Sequence, residues 1–414
     1  MSIKERPEAR LRPKTVLRSM GPGLVAGAAN VDPTTVATMS VIGATTLYDL
    51  SWLTILMVPV LVIIQIISSH VGVQGRSDLQ HFVRRAYGRP SQFLLLGLVL
   101  VVTIITIAAD LEAGAAAVGL LLHAPWRWFV VPLGLLTLAL LVFGTYDEVE
   151  KVLKYVLLVL LTYVVAAVLA NAEWGQVLHH SIMPTIGMDK HHLDGSLALL
   201  GTTLTSYVYI WQTIEMGEEG PSRARLWLKK IDAAFGMFFG VAIFWFILVA
   251  TGATLGVHHE HVETAQDAAR ALRPVAGRFA SYLFGIGLLG SSLLALPVLV
   301  GTAAYVVGAQ FDWERGLSHR LHEASKFYAV IAASIILSVV VSLVGVQPIT
   351  LLFMASIAAG IATPVSLAYL VIVASNKQLM KGHPIGPWLR WTGALIAAAV
   401  GLVGLIYLAS QFFG

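Results

Sequence analysis

Apolar residues fill the chain in long runs, and the polar interruptions between them leave windows of about 20 residues, the length a helix needs to cross a bilayer. Eleven spans are expected on this pattern, near 19–46, 50–73, 92–122, 126–146, 150–171, 194–216, 229–256, 275–309, 325–346, 349–375 and 388–412. The pattern predicts an all-α membrane protein of eleven transmembrane helices. It divides into a cytoplasmic basic tail over 1–18, a ten-helix core over 19–375 and an additional helix over 388–412.

The first span, GPGLVAGAANVDPTTVATMSVIGATT, breaks the pattern at its middle, where Asn30, Asp32, Pro33, Thr34 and Thr35 separate two apolar runs. Proline removes a backbone donor and clashes with the preceding turn, so the helix should be broken there rather than gently bent. A carboxylate at mid-depth costs about 2.5–3.5 kcal/mol on insertion scales, so Asp32 should face water, a partner or a cation. A cation also suits the carbonyls freed at the break. The competing reading is a proline kink whose acid is satisfied by neighbouring helices.

Composition agrees with a membrane domain: 57% of residues are hydrophobic, 12% are charged and the mean hydropathy is +0.79. With no cysteine, disulfides and thiolate metal sites are excluded. If the N-terminus is cytoplasmic, 22 of the 27 Lys and Arg residues fall in the tail and in every alternate loop, leaving Arg127, Lys190, Arg270, Arg273 and Arg278 on the other side. That bias places the tail inside, Gly414 outside and the chain in the cell inner (plasma) membrane. The net charge of +4 is then a topology signal, and no nucleic-acid partner is inferred from it.

An odd number of spans permits five plus five plus one, with spans 1 and 6 at equivalent places in two inverted halves. Span 6 carries Thr202, Thr203, Thr205 and Ser206 mid-segment. Matching interrupted segments are the best sequence pointer to a transporter's midplane site. Helix packing by Ser and Thr is the alternative, since span 6 has no proline or glycine at its centre.

These residues resemble the Nramp (natural resistance-associated macrophage protein) family of divalent metal transporters. The likeness runs through Gly21-Pro22-Gly23, Asp32-Pro33, Ala37-Thr38, Gly43-Ala44 and Tyr48, then Gln65 and Gly75-Arg76-Ser77-Asp78-Leu79. It returns from Pro364 to Ser375-Asn376-Lys377-Gln378-Leu379-Met380. The resemblance implies a leucine-transporter-like 5+5 inverted repeat with broken helices 1 and 6. It also implies a metal site at Asp32, Thr35, Thr202 and Thr205, with the backbone carbonyls near Ala29 and Thr202 completing the shell.

The departures from the family pattern carry the functional reading. Thr35 replaces the coordinating asparagine of the family's Asp-Pro-Gly-Asn. Thr202, Thr205, Ser206 and Tyr207 stand where the family has an alanine and a Met-Pro-His run, and Ser356 stands in place of an amide ligand in span 10. A thioether helps a site prefer Mn²⁺, Fe²⁺ or Cd²⁺ over hard cations, and its loss discards that preference. Mg²⁺ needs oxygen ligands, gives up water reluctantly and is commonly held by one or two carboxylates with several waters retained. One acid in a wide, hydroxyl-lined site suits that ion, as in the Nramp-related magnesium transporters that the sequence resembles.

Proton coupling is the second departure. Asp110 is followed by Glu112 where the family pairs an acid with a second one three residues on, and Tyr207 and Gln212 occupy the histidine positions. Residues two apart on a helix point about 200° from one another, so the two acids cannot form a one-faced relay. One of them is expected to line the ion path beside Ser206, Tyr207 and Ser356. Uptake without protons is energetically sufficient: a divalent ion crossing 100 mV gains about 4.6 kcal/mol, roughly 2,000-fold accumulation.

The histidines at 179, 180, 191, 192, 258, 259 and 261 lie in loops without metal-ligand spacing and are read as polar loop. The expected protein is thus a monomeric, alternating-access importer of Mg²⁺ without a resident cofactor, its partners a divalent ion and the lipid bilayer. The alternatives are an H⁺-coupled Mn²⁺/Fe²⁺ importer and an organic-solute symporter of the same fold. An intramembrane enzyme is disfavoured, because neither HExxH nor an aspartyl dyad is present.

Overall fold

A computed structural model describes residues 31–75, 79–143, 157–219, 223–317 and 321–413, and among them every regular element is helical. The spans appear in the expected order: α1 (Pro33–Thr46), α2 (Ser51–Gly75), α3 (Leu79–Leu122), α4 (Arg127–Val142), α5 (Thr162–Leu169), α6 (Trp174–Ile182), α7 (Lys190–Thr203), α8 (Ser206–Glu219), α9 (Arg223–Thr254), α10 (Ala280–Phe311), α11 (Ser325–Ser342), α12 (Pro348–Ser375) and α13 (Pro387–Phe413). Of these, α1, α7 and α8 have 14 residues each, too few to cross a bilayer alone. Together α7 and α8 make span 6, and α1 is the second half of span 1, whose first half lies outside the described residues.

Local chemistry explains where the helices begin and break. Asp32, extended at φ −74° and ψ 166°, caps α1, and Pro33 opens it. A proline's missing N–H costs nothing at that position. The 44-residue α3 turns at Gly88, whose φ of 79° and ψ of −178° only glycine adopts readily. Span 5 departs from the expected continuous helix: a 3-10 turn over Leu157–Leu161 leads into α5, and the chain then bends by 115° into α6.

Span 6 breaks at Leu204 and Thr205 with no proline or glycine there. Hydroxyls take the place of the lost helical bonds: Thr205 Oγ1 donates to the Thr202 carbonyl at 2.8 Å, and Thr363 Oγ1 of α12 donates to the Leu204 carbonyl at 3.2 Å. A break stabilised from a helix 159 residues further along the chain leaves no breaker residue in the local sequence.

The core sits around α1 and α7. α1 packs against α7, α9 and α12, while α3 lies against α10, α11 and α12. At the α7–α12 crossing, a methyl on Gly201 or Gly360 would collide with the opposite backbone, so the two helices approach as only glycine permits. α13 stands at the rim, with Trp388, Trp391 and Leu405 exposed as lipid-facing residues.

Candidate metal site

Both breaks meet at Asp32. The Thr35 amide and the Thr35 hydroxyl donate to its Oδ1, each at 2.7 Å, and the Tyr207 hydroxyl donates to Oδ2 at 2.8 Å. Thr202 Oγ1 lies 2.9 Å from Thr35 Oγ1. The Thr35 proton is committed to Asp32, so Thr202 is the donor in that contact. The result is a chain of hydroxyls from span 6 through Thr35 to one carboxylate. Asp32 is 3% exposed, and among the described residues no Lys or Arg pairs with it. In keeping with the competing reading, a neighbouring helix does help to satisfy the acid, through the Tyr207 hydroxyl of α8.

A second carboxylate reaches the same turn of α1. Thr34 Oγ1 donates to Asp110 Oδ1 at 2.8 Å, and Ser292 Oγ of α10 donates to the Asp110 carbonyl at 2.7 Å. Asp110 Oδ2 is buried without a hydrogen-bond partner. One turn further along α1, Thr38 and Ser356 hydroxyls lie 2.7 Å apart, and Ser356 also donates to the Leu352 carbonyl. Thr38 must therefore donate to Ser356.

Asp32, Thr35, Thr202, Thr205 and Tyr207 are thus brought together, Asp110 joins them through Thr34, and Ser356 lies one turn away through Thr38. Ser206 is buried at the start of α8. Ala29 lies outside the described residues. Glu112 does not join: it is fully buried, neither carboxylate oxygen has a partner, and the charge it faces is Arg127 at the start of α4. The 200° offset read from the sequence separates the two acids in the structure as well.

The site is closer-packed than the wide one expected, because the hydroxyls have turned onto the carboxylate. The adjoining cavity, lined by Thr202, Thr203, Tyr207 and Met237 among others, has about 20 Å³ of space for water, room for one molecule. Sequence reasoning missed Thr34 and Thr38, which tie α1 to α3 and α12, and Ser292, which ties α10 to α3. The Thr34, Thr38 pair was visible as an i, i+4 repeat on one helix face, whereas Ser292 had no local signal. Met237 was also missed; it brings a thioether to the cavity from α9, away from the bonds at Asp32.

Comparison with known proteins settles the family, since the family model described as natural resistance-associated macrophage protein-like matches residues 23–410. The chain belongs to the Nramp family. Its relatives include the divalent metal cation transporter MntH of Caldanaerobacter subterraneus subsp. tengcongensis, 26% identical over 95% of this chain and 94% of that one. The MntH of Klebsiella pneumoniae is likewise 26% identical, over 98% and 97%. Among solved structures, a mutant of the Eremococcus coleocola manganese transporter superposes with a TM-score of 0.75 at 19% identity, over 99% of this chain and 90% of that one. The nucleobase-cation symporter Mhp1 in a closed conformation gives 0.59 at 14% identity, over 94% and 89%. The fold of this Nramp protein is therefore that of leucine-transporter-like membrane transporters, and the protein is a transporter rather than an enzyme.

Proposed function

We propose that this chain imports divalent cations, with partly hydrated Mg²⁺ as its main cargo, driven by the membrane potential without coupled protons. The coarse part of this reading rests on the family and on relatives named as divalent metal cation transporters. The finer part rests on one observation: among the described residues, every group hydrogen-bonded to Asp32 is a hydroxyl or an amide, with no thioether and no fixed cation among them. Oxygen donors with little softness favour a hard ion that keeps part of its water.

Binding requires little chemistry beyond rotation. A hydroxyl that donates to the carboxylate can turn its lone pair toward an arriving cation or its water, and the carboxylate then exchanges hydrogen-bond donors for the ion. Asp32 supplies the charge, Thr35 and Thr202 supply hydroxyl or water-mediated contacts, and Thr205, whose proton is held by the Thr202 carbonyl, fixes the break. Asp110 joins the same turn of α1 from the neighbouring helix through Thr34. An organic carboxylate would meet the fixed acid Asp32, which argues against a solute symporter.

A second reading, proton-coupled Mn²⁺ import, draws on the manganese transporter of similar fold and on the unpartnered Asp110 Oδ2. Ion flux into liposomes under independently imposed voltage and pH gradients decides between them, with wild type beside Asp32→Ala. Mg²⁺ entry that follows voltage, ignores the pH gradient and vanishes in the variant supports the first reading. Entry of Mn²⁺ but not Mg²⁺, or acidification accompanying uptake, supports the second.

A further inference from the structure

Five Lys and Arg residues escape the charge bias that places basic residues on one side of the membrane, and three of them gather at one place. Arg270, Arg273 and Arg278 line a cavity of about 170 Å³, together with Gln266 and Ser281, where the connection after α9 enters α10. That is about ten times the ~10–15 Å³ that a single water requires.

The charges are not cancelled locally. Arg270 is paired, with Glu260 at 2.9 Å and Asp267 at 3.5 Å. Arg273 and Arg278 form no ion pair among the described residues. The Arg278 guanidinium lies over the Phe279 ring, 5.1 Å from its centre, which limits its freedom. Two forked guanidinium groups are donors without acceptors, and the amide and hydroxyl beside them can each donate as well, the chemistry that recognises a phosphate.

The helix that follows the cavity indicates where that phosphate comes from. Ala280 and Ser281, which help line the cavity, open α10, and the exposed side chains at this end are Phe279, Tyr282 and Ile286, at 55%, 42% and 41% exposure. Spacings of three and four residues put them on one helix face. A basic cavity at the head of an exposed apolar stripe matches an amphiphile with a phosphate at one end and hydrocarbon at the other.

We propose that this cavity binds the phosphate of an anionic phospholipid whose chains descend along Phe279, Tyr282 and Ile286. The two uncompensated arginines hold the phosphate, Gln266 and Ser281 add neutral donors, and the stripe covers the first part of the chains. The site is separate from the ion path, and it makes lipid composition a determinant of this protein's stability.

The test uses the full-length protein in neutral detergent, titrated in parallel with phosphatidylglycerol, with inorganic phosphate and with uncharged diacylglycerol. Binding is read by thermal stability and by lipid retained in native mass spectrometry. Phosphatidylglycerol should raise the melting temperature and be retained, and Arg273→Gln/Arg278→Gln should bind it at least about tenfold more weakly, as expected for loss of two charge-assisted contacts. Arg273→Lys/Arg278→Lys, which keeps the charge but loses the fork, should fall between the two. The single variant Arg278→Gln, at an exposed position without an ion pair, gives the same comparison should the double variant fold poorly. Equal retention by wild type and both glutamine variants would overturn the proposal. So would diacylglycerol acting as strongly as phosphatidylglycerol, or inorganic phosphate saturating the site at the same concentration as the lipid.

Discussion

At the scale of the residue, the site is decided by what each hydroxyl does with its single proton. Thr35 gives its proton to Asp32 and therefore receives one from Thr202; Tyr207 satisfies the other carboxylate oxygen. Asp32→Ala should abolish Mg²⁺ flux while leaving the protein folded, measured as uptake and as a monodisperse elution profile. Tyr207→Phe removes a hydrogen bond to a charged group, a loss of about 1.5–3 kcal/mol, which should lower the melting temperature of the ion-free protein. Saturating Mg²⁺ should narrow that gap, because the ion replaces the missing donor. Thr205→Met returns a thioether to the position where the family carries one. The expected outcome is a competition assay in which Cd²⁺ and Mn²⁺ inhibit Mg²⁺ uptake more strongly than they do in wild type.

At the scale of the element, the C-terminal end of α1 and the N-terminal end of α7 are held by a network that local sequence did not announce. His192 Nε2 lies 3.0 Å from Asp49, just beyond α1, and its Nδ1 contacts Asp189, which caps α7; His180 of α6 reaches the other Asp49 oxygen at 3.1 Å. The histidines at 180 and 192, read from the sequence as polar loop, are thus struts between broken helices. Burial is the largest single influence on the Asp189 carboxyl and pushes it up, but the His192 amide and imidazole together outweigh it and hold the group below its ordinary value of 3.8. A lowered carboxylate contributes stability that is complete above its unfolded value and is lost as pH falls through the lower native one. Asp189→Ala should therefore cost about 0.5–2 kcal/mol near neutral pH, as cap removals do, and progressively less as pH drops below about 4. Thermal melts of both proteins across that range would check the convergence. At the α7–α12 crossing, Gly201→Ala places a methyl against backbone that cannot move aside, and a destabilisation of at least about 1–3 kcal/mol is expected in the same melts.

At the scale of the whole molecule, the proposed import depends on two half-helices meeting at a buried acid inside a helical shell. Because the site is occluded and Asp32 has no fixed counter-charge among the described residues, net positive charge should cross the membrane with each turnover. Mg²⁺ accumulation in liposomes should then rise with an imposed inside-negative potential and collapse when the potential is abolished, with the pH gradient held at zero. Proton-coupled uptake would instead leave a matching acidification in the lumen.

Much of this architecture was readable from the chain, and the reason is the solvent. A bilayer forces each crossing to be helical and apolar for a fixed length, so span number and order follow from hydropathy. The break at Asp32-Pro33 was readable because proline acts on its own backbone. The break at Leu204 and Thr205 was only suggested by clustered hydroxyls, since Thr363 stabilises it from a distant helix. Tertiary structure alone decided that Asp110 reaches the site through Thr34 while Glu112 is buried apart from it, and that Arg270, Arg273 and Arg278 converge on one cavity. Periodicity tells which side of its own helix a residue occupies; which neighbour waits on that side is set by packing among segments far apart in the chain.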